Sequence, residues 1–400
     1  MPLLRQICNL IPCGMVPALA RQFQADVGRA FNAWSHVVTL IYAQVVHAVG
    51  LNDVCDGLSI HSGPLSSIRG AKAPARNTLS HANRTRDVRM AEALLWAMIK
   101  HLGNRSSSFL HCGRRGRGPV HRFTKCIHLV DSTTVELVAN CIDWAKHRRR
   151  KAAAKVHMRL NLQSFLPSFV IVDTARHNDA LRARGLCAGL KEGEIVVFDR
   201  AYVDFDHLAD LSMRGVFWVT RTKENLKFKV RRRFASKSKN ILADEEVALL
   251  NAGSKAKYPQ TMRRVRALVE VDGVEREMEF LSNGFEWSAG SVAGLYRSRW
   301  SIEVFFKQIK QNLQLGDFLG NNANAVRWQV WMALLAYVLV KYLEFESRWS
   351  HSFSRLMALL RSGLWLRCAL MVLLRSYGTA GGNYRTLASP EQAYFPAFMR

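Results

Sequence analysis

The chain has 400 residues, 49% of them hydrophobic, and carries 57 Lys plus Arg against 31 acids, a formal net charge of +26. The length exceeds what one small core needs and predicts two or three structural units, and the apolar content excludes a mostly disordered chain. A pI near 10.3 points to a polyanionic partner, most simply nucleic acid; a membrane-surface protein could share it, but the basic residues are spread along the chain instead of on one amphipathic helix.

At the N-terminus, Arg5, an apolar run and Ala18-Leu19-Ala20 imitate a signal peptide, but Pro12 and Pro17 interrupt the run. The 8 cysteines are scattered without a Cys-x-x-Cys pair. Neither Cys8 with Cys13 nor the loose group His121, Cys126 and His128 has zinc spacing, so reduced, mostly buried thiols in cytoplasm are expected. The apolar stretch 330–340 is too short to span a bilayer and is closed by Lys341, while 356–374 is broken by Arg361 and Arg367. No transmembrane segment is predicted.

In chain order, Ser35 caps a helix over 36–49 that Gly50 stops, with Val37, Leu40, Ile41, Gln44 and Val45 at helical spacing. Asn52 or Asp53 starts a second, short helix, and Pro64, Gly70 and Pro74 punctuate a loop. Pro74 opens a third helix that presents Arg76, Asn77, Ser80, His81, Asn83, Arg84 and Arg86. These residue types reach phosphates and base edges, the alternative being a solvated basic face. Asp87 caps a fourth helix with the stripe Val88, Ala91, Leu94, Leu95, Met98, Ile99 and Leu102. A Gly, Ser and Arg-rich linker over 103–122 follows, whose Arg114, Arg115 and Arg117 either lie along DNA or merely solubilise the chain.

The next region reads as α/β. Strands are expected over 127–131, 156–162, 168–173, 194–199 and 216–220, with helices over 178–190 and 204–213 and a basic run over 147–151. Asp131 and Asp199 each close an apolar run, so each carboxylate is delivered at a strand exit. Residues 221–282 alternate apolar and charged side chains, as half-exposed antiparallel strands do; their bases suit a DNA-facing surface or a purely structural excursion. A single helix is expected over 295–313. In it Tyr296, Arg299, Glu303 and Lys310 fall within about 60° of arc, beside a packing stripe of Val304, Phe305, Ile309 and Leu313. A lone acid among bases can also be a solvated ion-pair ladder. Core helices over 326–343 and 354–377 and a loop-like tail from Gly378 complete the chain.

Tyr296-x2-Arg299-x3-Glu303-x6-Lys310 resembles the Tyr-Arg-Glu-Lys signature of DDE transposases in the IS-four group of bacterial insertion sequences. VDSTTVELV around Asp131, FDRAYVDF around Asp199 and FLGNNANAVRWQVWMALLAYVL are similar to that family too, so the likeness covers roughly residues 22–345. The first twenty or so residues and the tail are left unmatched. The resemblance implies a ribonuclease-H-like α/β catalytic core over 111–222 and 283–345, a β-rich insertion over 223–282, a helical DNA-binding domain over 1–110 and a C-terminal helical region over 346–400. It implies that Asp131, Asp199 and Glu303 hold two Mg²⁺ (or Mn²⁺) ions for phosphodiester chemistry. Tyr296, Arg299 and Lys310 would contact DNA, and Arg76 and Arg84 would serve end binding. The implied partners are double-stranded DNA, as transposon ends and target, and a second copy of the chain in the DNA complex. No membrane and no nucleotide cofactor are expected, and the place of action is the bacterial cytoplasm at the nucleoid. The family usually has Asp-Arg-Gly-Tyr where this chain has Asp199-Arg200-Ala201-Tyr202; if that glycine needs a positive φ, Ala201 is strained. The alternatives are a ribonuclease-H-like nuclease or resolvase, and a catalytically inactive DNA-binding derivative.

Overall fold

The structure, a computed structural model, describes residues 1–376 apart from 27–30, 112–122, 138–145, 148–150, 175–178, 316–319 and positions 224, 237, 272, 314 and 321. Arg114, Arg115, Arg117, His121 and the tail after 376 therefore lie outside the described residues. The chain divides into two compact units, Met1–Phe109 with Gln308–Arg400, and Leu110–Lys307.

The first unit begins with helices α1 (Leu3–Cys8), α2 (Met15–Gln22), α3 (Ala33–Val46), α4 (Leu51–Ile60), α5 (Ser62–Ser66), α6 (Arg76–Thr85), α7 (Arg89–Arg105) and α8 (Ser107–His111). Helix α3 starts earlier than the sequence suggests, because the Asn32 side chain and not Ser35 is the cap: it accepts the Ser35 N–H at 2.8 Å. Asp87 does cap α7, accepting the Arg89 N–H at 2.9 Å. Helix α7 runs on through Gly103, so the first residues of the expected linker are helical. The apolar stripe Leu94, Leu95, Met98 and Leu102 carries it past the glycine. Two residues expected on the exposed face of α6 are buried: Asn83 and Arg86. With Leu79 and Ala82 they fall at offsets 0, 3, 4 and 7, the inward stripe of a helix. Asn83 Oδ1 accepts from His36 Nε2 at 2.8 Å, and Arg86 donates to the carbonyls of Ala25 at 3.2 Å and of Phe31.

The second unit holds strands β1 (Ile127–Leu137), β2 (Lys146–His147), β3 (Lys151–Asn161) and β4 (Pro167–Thr174), helix α9 (Asp179–Cys187), β5 (Ile195–Phe198), α10 (Phe205–Met213), β6 (Phe217–Arg221), β7 (Phe228–Arg233), β8 (Ile241–Leu249), α11 (Ala252–Lys257), β9 (Met262–Val271) and β10 (Val274–Ser282). Among the described residues they form one sheet in the order β2-β3-β1-β5-β6-β10-β9-β8-β7, with β4 also on β3. Among the described residues only β1 with β5 and β5 with β6 pair parallel. Strand β5 is buried along its whole length, as a parallel strand covered on both faces should be. Val196, Phe198, Leu208, Trp218 and Leu281 belong to its core. The strands over 228–282 are not a separate sheet; β10 pairs with β6 and extends the central one. At the start of β9, buried Arg263 grips Asp244 at 2.7 and 2.8 Å and donates to the carbonyls of Gly284 at 3.1 Å and Phe285 at 3.2 Å, just after β10. That clamp fixes the turn leading into α12 (Ala289–Ser298), which Ser288 caps.

The helix expected over 295–313 is two. Helix α12 ends at Ser298 and α13 (Trp300–Asn312) follows at once. The break is a tightening at Arg299, whose N–H takes Tyr296 O at 3.0 Å and whose carbonyl receives Ile302 N–H at 3.0 Å, three-residue bonds in place of four-residue ones. Val304, expected in the packing stripe, is 53% exposed; Ile302 and Phe306 pack instead, beside Phe305 and Ile309.

The chain then returns to the first unit. Helix α14 (Ala323–Ser347) is longer than the expected stretch and is long and apolar enough to cross a membrane by length and composition. Its residues are buried on every side against α3, α6 and α7, so it reads as the core helix of this unit. Trp328 Nε1 donates to Arg86 O at 2.9 Å and the Asn324 amide to Asn83 O at 2.9 Å. The helix expected over 354–377 is also two, α15 (Phe353–Gly363) and α16 (Leu370–Ser376). Between them the carbonyls of Leu364 and Leu366 accept the Leu4 and Leu3 N–H groups at 3.0 and 3.1 Å, satisfying donors that the first turn of α1 leaves open.

Candidate active site

Strand β1 does not stop at Asp131, as the sequence suggests, but continues to Leu137 against β3. What ends there is its partner: parallel pairing with β5 closes at Val130 opposite Phe198. Asp131 and Asp199 are therefore the next residues on two neighbouring strands, one still in the sheet and one leaving it. Asp199 turns into a short 3₁₀ segment, Arg200–Tyr202. Ala201 lies inside that turn and is not among the residues with positive φ, so it carries none of the strain a missing glycine would cause.

The turn between α12 and α13 brings the other side chains. Arg299 Nη1 donates to Asp131 Oδ2 at 2.9 Å and Nη2 meets Glu303 Oε1 at 2.6 Å, so one guanidinium spans two carboxylates that are far apart in sequence. The Tyr296 hydroxyl donates to Asp199 Oδ1 at 3.2 Å. Asp131, Asp199, Glu303, Tyr296 and Arg299, five residues singled out in the sequence, thus share one site within the second unit. Arg299, expected at a DNA backbone, is 7% exposed and occupied by the acids. Glu303 is half exposed at the rim. Lys310 lies further along α13 on exposed surface, in the part of the helix that belongs to the first unit. Arg76 and Arg84 are exposed on α6, also in the first unit, with Arg84 Nη2 3.4 Å from His81 Nδ1.

The electrostatics are those of crowded anions. Burial pushes Asp131 up to about 6; the Ser132 N–H and Arg299 oppose this, while the charges of Asp199 and Glu303 add to it. Burial also pushes the Tyr296 phenol up to about 12, so it stays a donor at neutral pH. For Arg299 burial pulls downward, but Tyr296, Asp131 and Glu303 outweigh it and the net shift is upward. Three carboxylates, two held by one guanidinium and the third by a phenol, with no soft ligand between them, form an oxygen-only donor set that suits Mg²⁺ or Mn²⁺.

Sequence reasoning missed several neighbours. The Ser132 N–H donates to Asp131 Oδ1 at 2.8 Å, a backbone contact that no residue type announces. Beside Asp199 opens a shallow cavity of about 550 Å³ lined also by Arg200, Ala201, Lys223 and Asn225. Lys223 arrives there from the exit of β6, the neighbouring strand, and its signal in the sequence is a basic residue after a strand end. Asp173 pairs with Arg182, which fits a structural part for it.

A family model described as a transposase DDE domain matches residues 122–339, more than half of the chain. A second model, described as a domain of unknown function (DUF4372), matches residues 1–68, so the first twenty residues, left unmatched in the sequence reading, are covered too. The protein named transposase y4zB of Sinorhizobium fredii is 30% identical over 274 residues, 67% of this chain and 75% of that protein. The transposase named for insertion sequence element IS5377 of Geobacillus stearothermophilus is 30% identical over 235 residues, 58% of this chain and 60% of that protein. Among solved structures, a cryo-EM structure of the piggyBac transposase synaptic complex with hairpin DNA aligns over 90% of this chain and 77% of that one, with a TM-score of 0.46 and 11% identity.

Proposed function

The chain belongs to the transposase DDE-domain family, and we propose that it is a cut-and-paste DNA transposase of the IS-four kind, built on a ribonuclease-H-like core. The observation that carries this is the meeting of Asp131, Asp199 and Glu303 through the bonds of Arg299 and Tyr296. The sheet order supports the core assignment. Strand β3 runs antiparallel between β4 and β1, while β5 and β6 continue parallel to β1.

In this reading Asp131, Asp199 and Glu303 would hold two divalent ions. When bound, such ions supply Lewis-acid stabilisation of charge on the transferring phosphate and a more acidic water. The chain's own residues do the rest. Arg299 keeps Asp131 and Glu303 side by side and, once their charge is met, offers its fork to a DNA phosphate. Tyr296 holds Asp199 by its hydroxyl and stays protonated while doing so. Arg200 and Lys223 give the cavity beside Asp199 the positive wall that a DNA backbone needs. Lys310 would contact DNA as well. The helices of the first unit bind the inverted-repeat ends of the element, Arg76 and Arg84 among the contacts. The β7–β10 strands are a structural extension of the core sheet that also offers a basic edge at Arg231, Arg232 and Arg233. Two copies act together on paired ends, in the bacterial cytoplasm.

The test is a nicking and strand-joining assay on DNA carrying the element's own ends, with and without Mg²⁺. End-specific nicking with joining of 3′-OH ends is expected. Cleavage without regard to end sequence would make the protein a nuclease or resolvase, and end binding without cleavage an inactive derivative.

A further inference from the structure

At the starts of β1 and β5, opposite to the carboxylate end, a second group of ligand-bearing side chains converges. Cys126, His128 and Glu194 place a thiol sulfur, an imidazole nitrogen and a carboxylate oxygen within 4.8 Å of one another. The parallel register explains the meeting. Ile127 pairs with Ile195 and the Ile195 N–H donates to Cys126 O at 2.9 Å, so Cys126 and Glu194 are the rung before the pairing starts, as Asp131 and Asp199 are the rung after it ends.

His128 supplies the independent observation. The residue is 6% exposed, and its Nε2 is inaccessible, has no hydrogen-bond partner and lies 3.5 Å from Glu194 Oε2. Its other nitrogen, Nδ1, lies 3.5 Å from Ser168 Oγ, which donates to Arg159 O at 3.0 Å and accepts from Arg159 Nε at 3.0 Å. In the tautomer that carries its proton on Nδ1, the Nε2 lone pair faces the Glu194 carboxylate, an arrangement that a cation between them relieves. Arg159 does not fill that need: its donors go to Leu186 O at 2.8 Å and to Ser168.

We propose that Cys126, His128 and Glu194 bind one Zn²⁺ ion, which clamps the starts of the two strands whose far ends carry Asp131 and Asp199. Sulfur, nitrogen and oxygen ligands together suit zinc and not Mg²⁺, and three protein ligands leave a fourth position for water. A tetrahedral ion needs its ligand atoms about 3.5 Å apart, which rotations of the half-buried Cys126 and Glu194 supply. Binding releases the thiol proton to solvent, and thiolate plus carboxylate outweigh the nearby Arg159 charge. The nitrogen and oxygen that the Ser168 and Lys191 groups hold are set for this: the Lys191 N–H donates to Glu194 Oε2 at 2.9 Å.

The experiment uses the full chain stripped of metal and titrated with Co²⁺, a zinc stand-in with visible bands. A tetrahedral cobalt spectrum with a thiolate-to-metal charge-transfer band is expected at one ion per chain. Zinc should displace it and raise Tm by a few degrees. Cys126→Ser should abolish the band, His128→Gln should abolish or weaken it strongly, and Asp131→Asn with Asp199→Asn should leave it intact. A folded wild-type chain without the charge-transfer band, or a band that survives Cys126→Ser, would overturn the proposal; the wild-type titration decides even if a variant fails to fold.

Discussion

The carboxylate site of the sheet unit and the polar core of the helical unit both bury ionisable groups, yet they do so differently. In the helical unit His36, Asn83, Arg86, Asn324 and Trp328 are joined by hydrogen bonds, with side-chain donors ending largely on backbone carbonyls. In the sheet unit three like charges crowd together, with one guanidinium between two of them, and burial with these neighbours raises Asp131 to about 6. A buried network whose charges are spread over backbone carbonyls is architecture. A cluster of anions that the fold alone does not neutralise is a site waiting for a cation and a substrate.

The sharpest break of this contrast removes one anion. Glu303→Gln keeps size and helix propensity, and Glu303 is half exposed, so folding and end binding should persist. Losing several kcal/mol of charge stabilisation should lower nicking and joining by about 10³-fold or more. Circular dichroism with single-turnover cleavage checks both halves; a variant that cleaves like wild type returns the Arg299–Glu303 contact to an ordinary ion pair.

The same treatment of the helical unit should damage the fold and not the chemistry. Arg86→Ala removes a 2% exposed guanidinium and strands the carbonyls of Ala25 and Phe31 without their donor. A loss of about 3–5 kcal/mol is expected, read as a lower denaturant midpoint. A midpoint unchanged within error would show that the network is dispensable.

Acid sharpens the comparison further. Burial, with Arg86 adding to it and the Asn83 bond opposing, holds His36 down at about 3. It sits between Phe31 and Trp328, and its Nδ1 is buried with no acceptor for a second proton. The unfolded chain binds that proton near pH 6.5 and the folded one does not, so stability is full above 6.5 and is lost as pH falls towards 3. At pH 5 the loss is roughly 2 kcal/mol. Urea midpoints at pH 7.5 and 5 should differ by that much more in wild type than in His36→Gln; equal differences would acquit His36.

How far the residues announced all this depends on what kind of information each element carries. Apolar runs and caps marked β5, β6 and α7 closely, because burial and capping are local. The site was legible because its five residues lie in short motifs, and Tyr296, Arg299 and Glu303 stay on one side even though the helix is pinched at Arg299. What was not legible is non-local. Asn83 and Arg86 read as exposed by type and are buried because α3 and α14 supply partners from far along the chain. Glu194 was invisible beside Cys126 and His128 because only strand register brings it there.

The smallest expected effect tests whether the helical unit's exposed face is as functional as its interior is structural. Arg76 and Arg84 lie on the outer side of α6, two turns apart, and neither supports a buried group. Replacing both by Ala should leave the denaturant midpoint within about 0.5 kcal/mol of wild type. If both reach phosphates of the element's ends, the slope of log K against log salt should become shallower by roughly 2, since each neutralised phosphate contributes close to one counterion. Affinity at moderate salt should fall several-fold, while nicking at saturating protein should hold, because Asp131, Asp199 and Glu303 are untouched. Filter binding of end DNA across a salt series measures slope and affinity together. An unchanged slope would make α6 a solvated basic face, and end binding would then have to be sought elsewhere in the first unit.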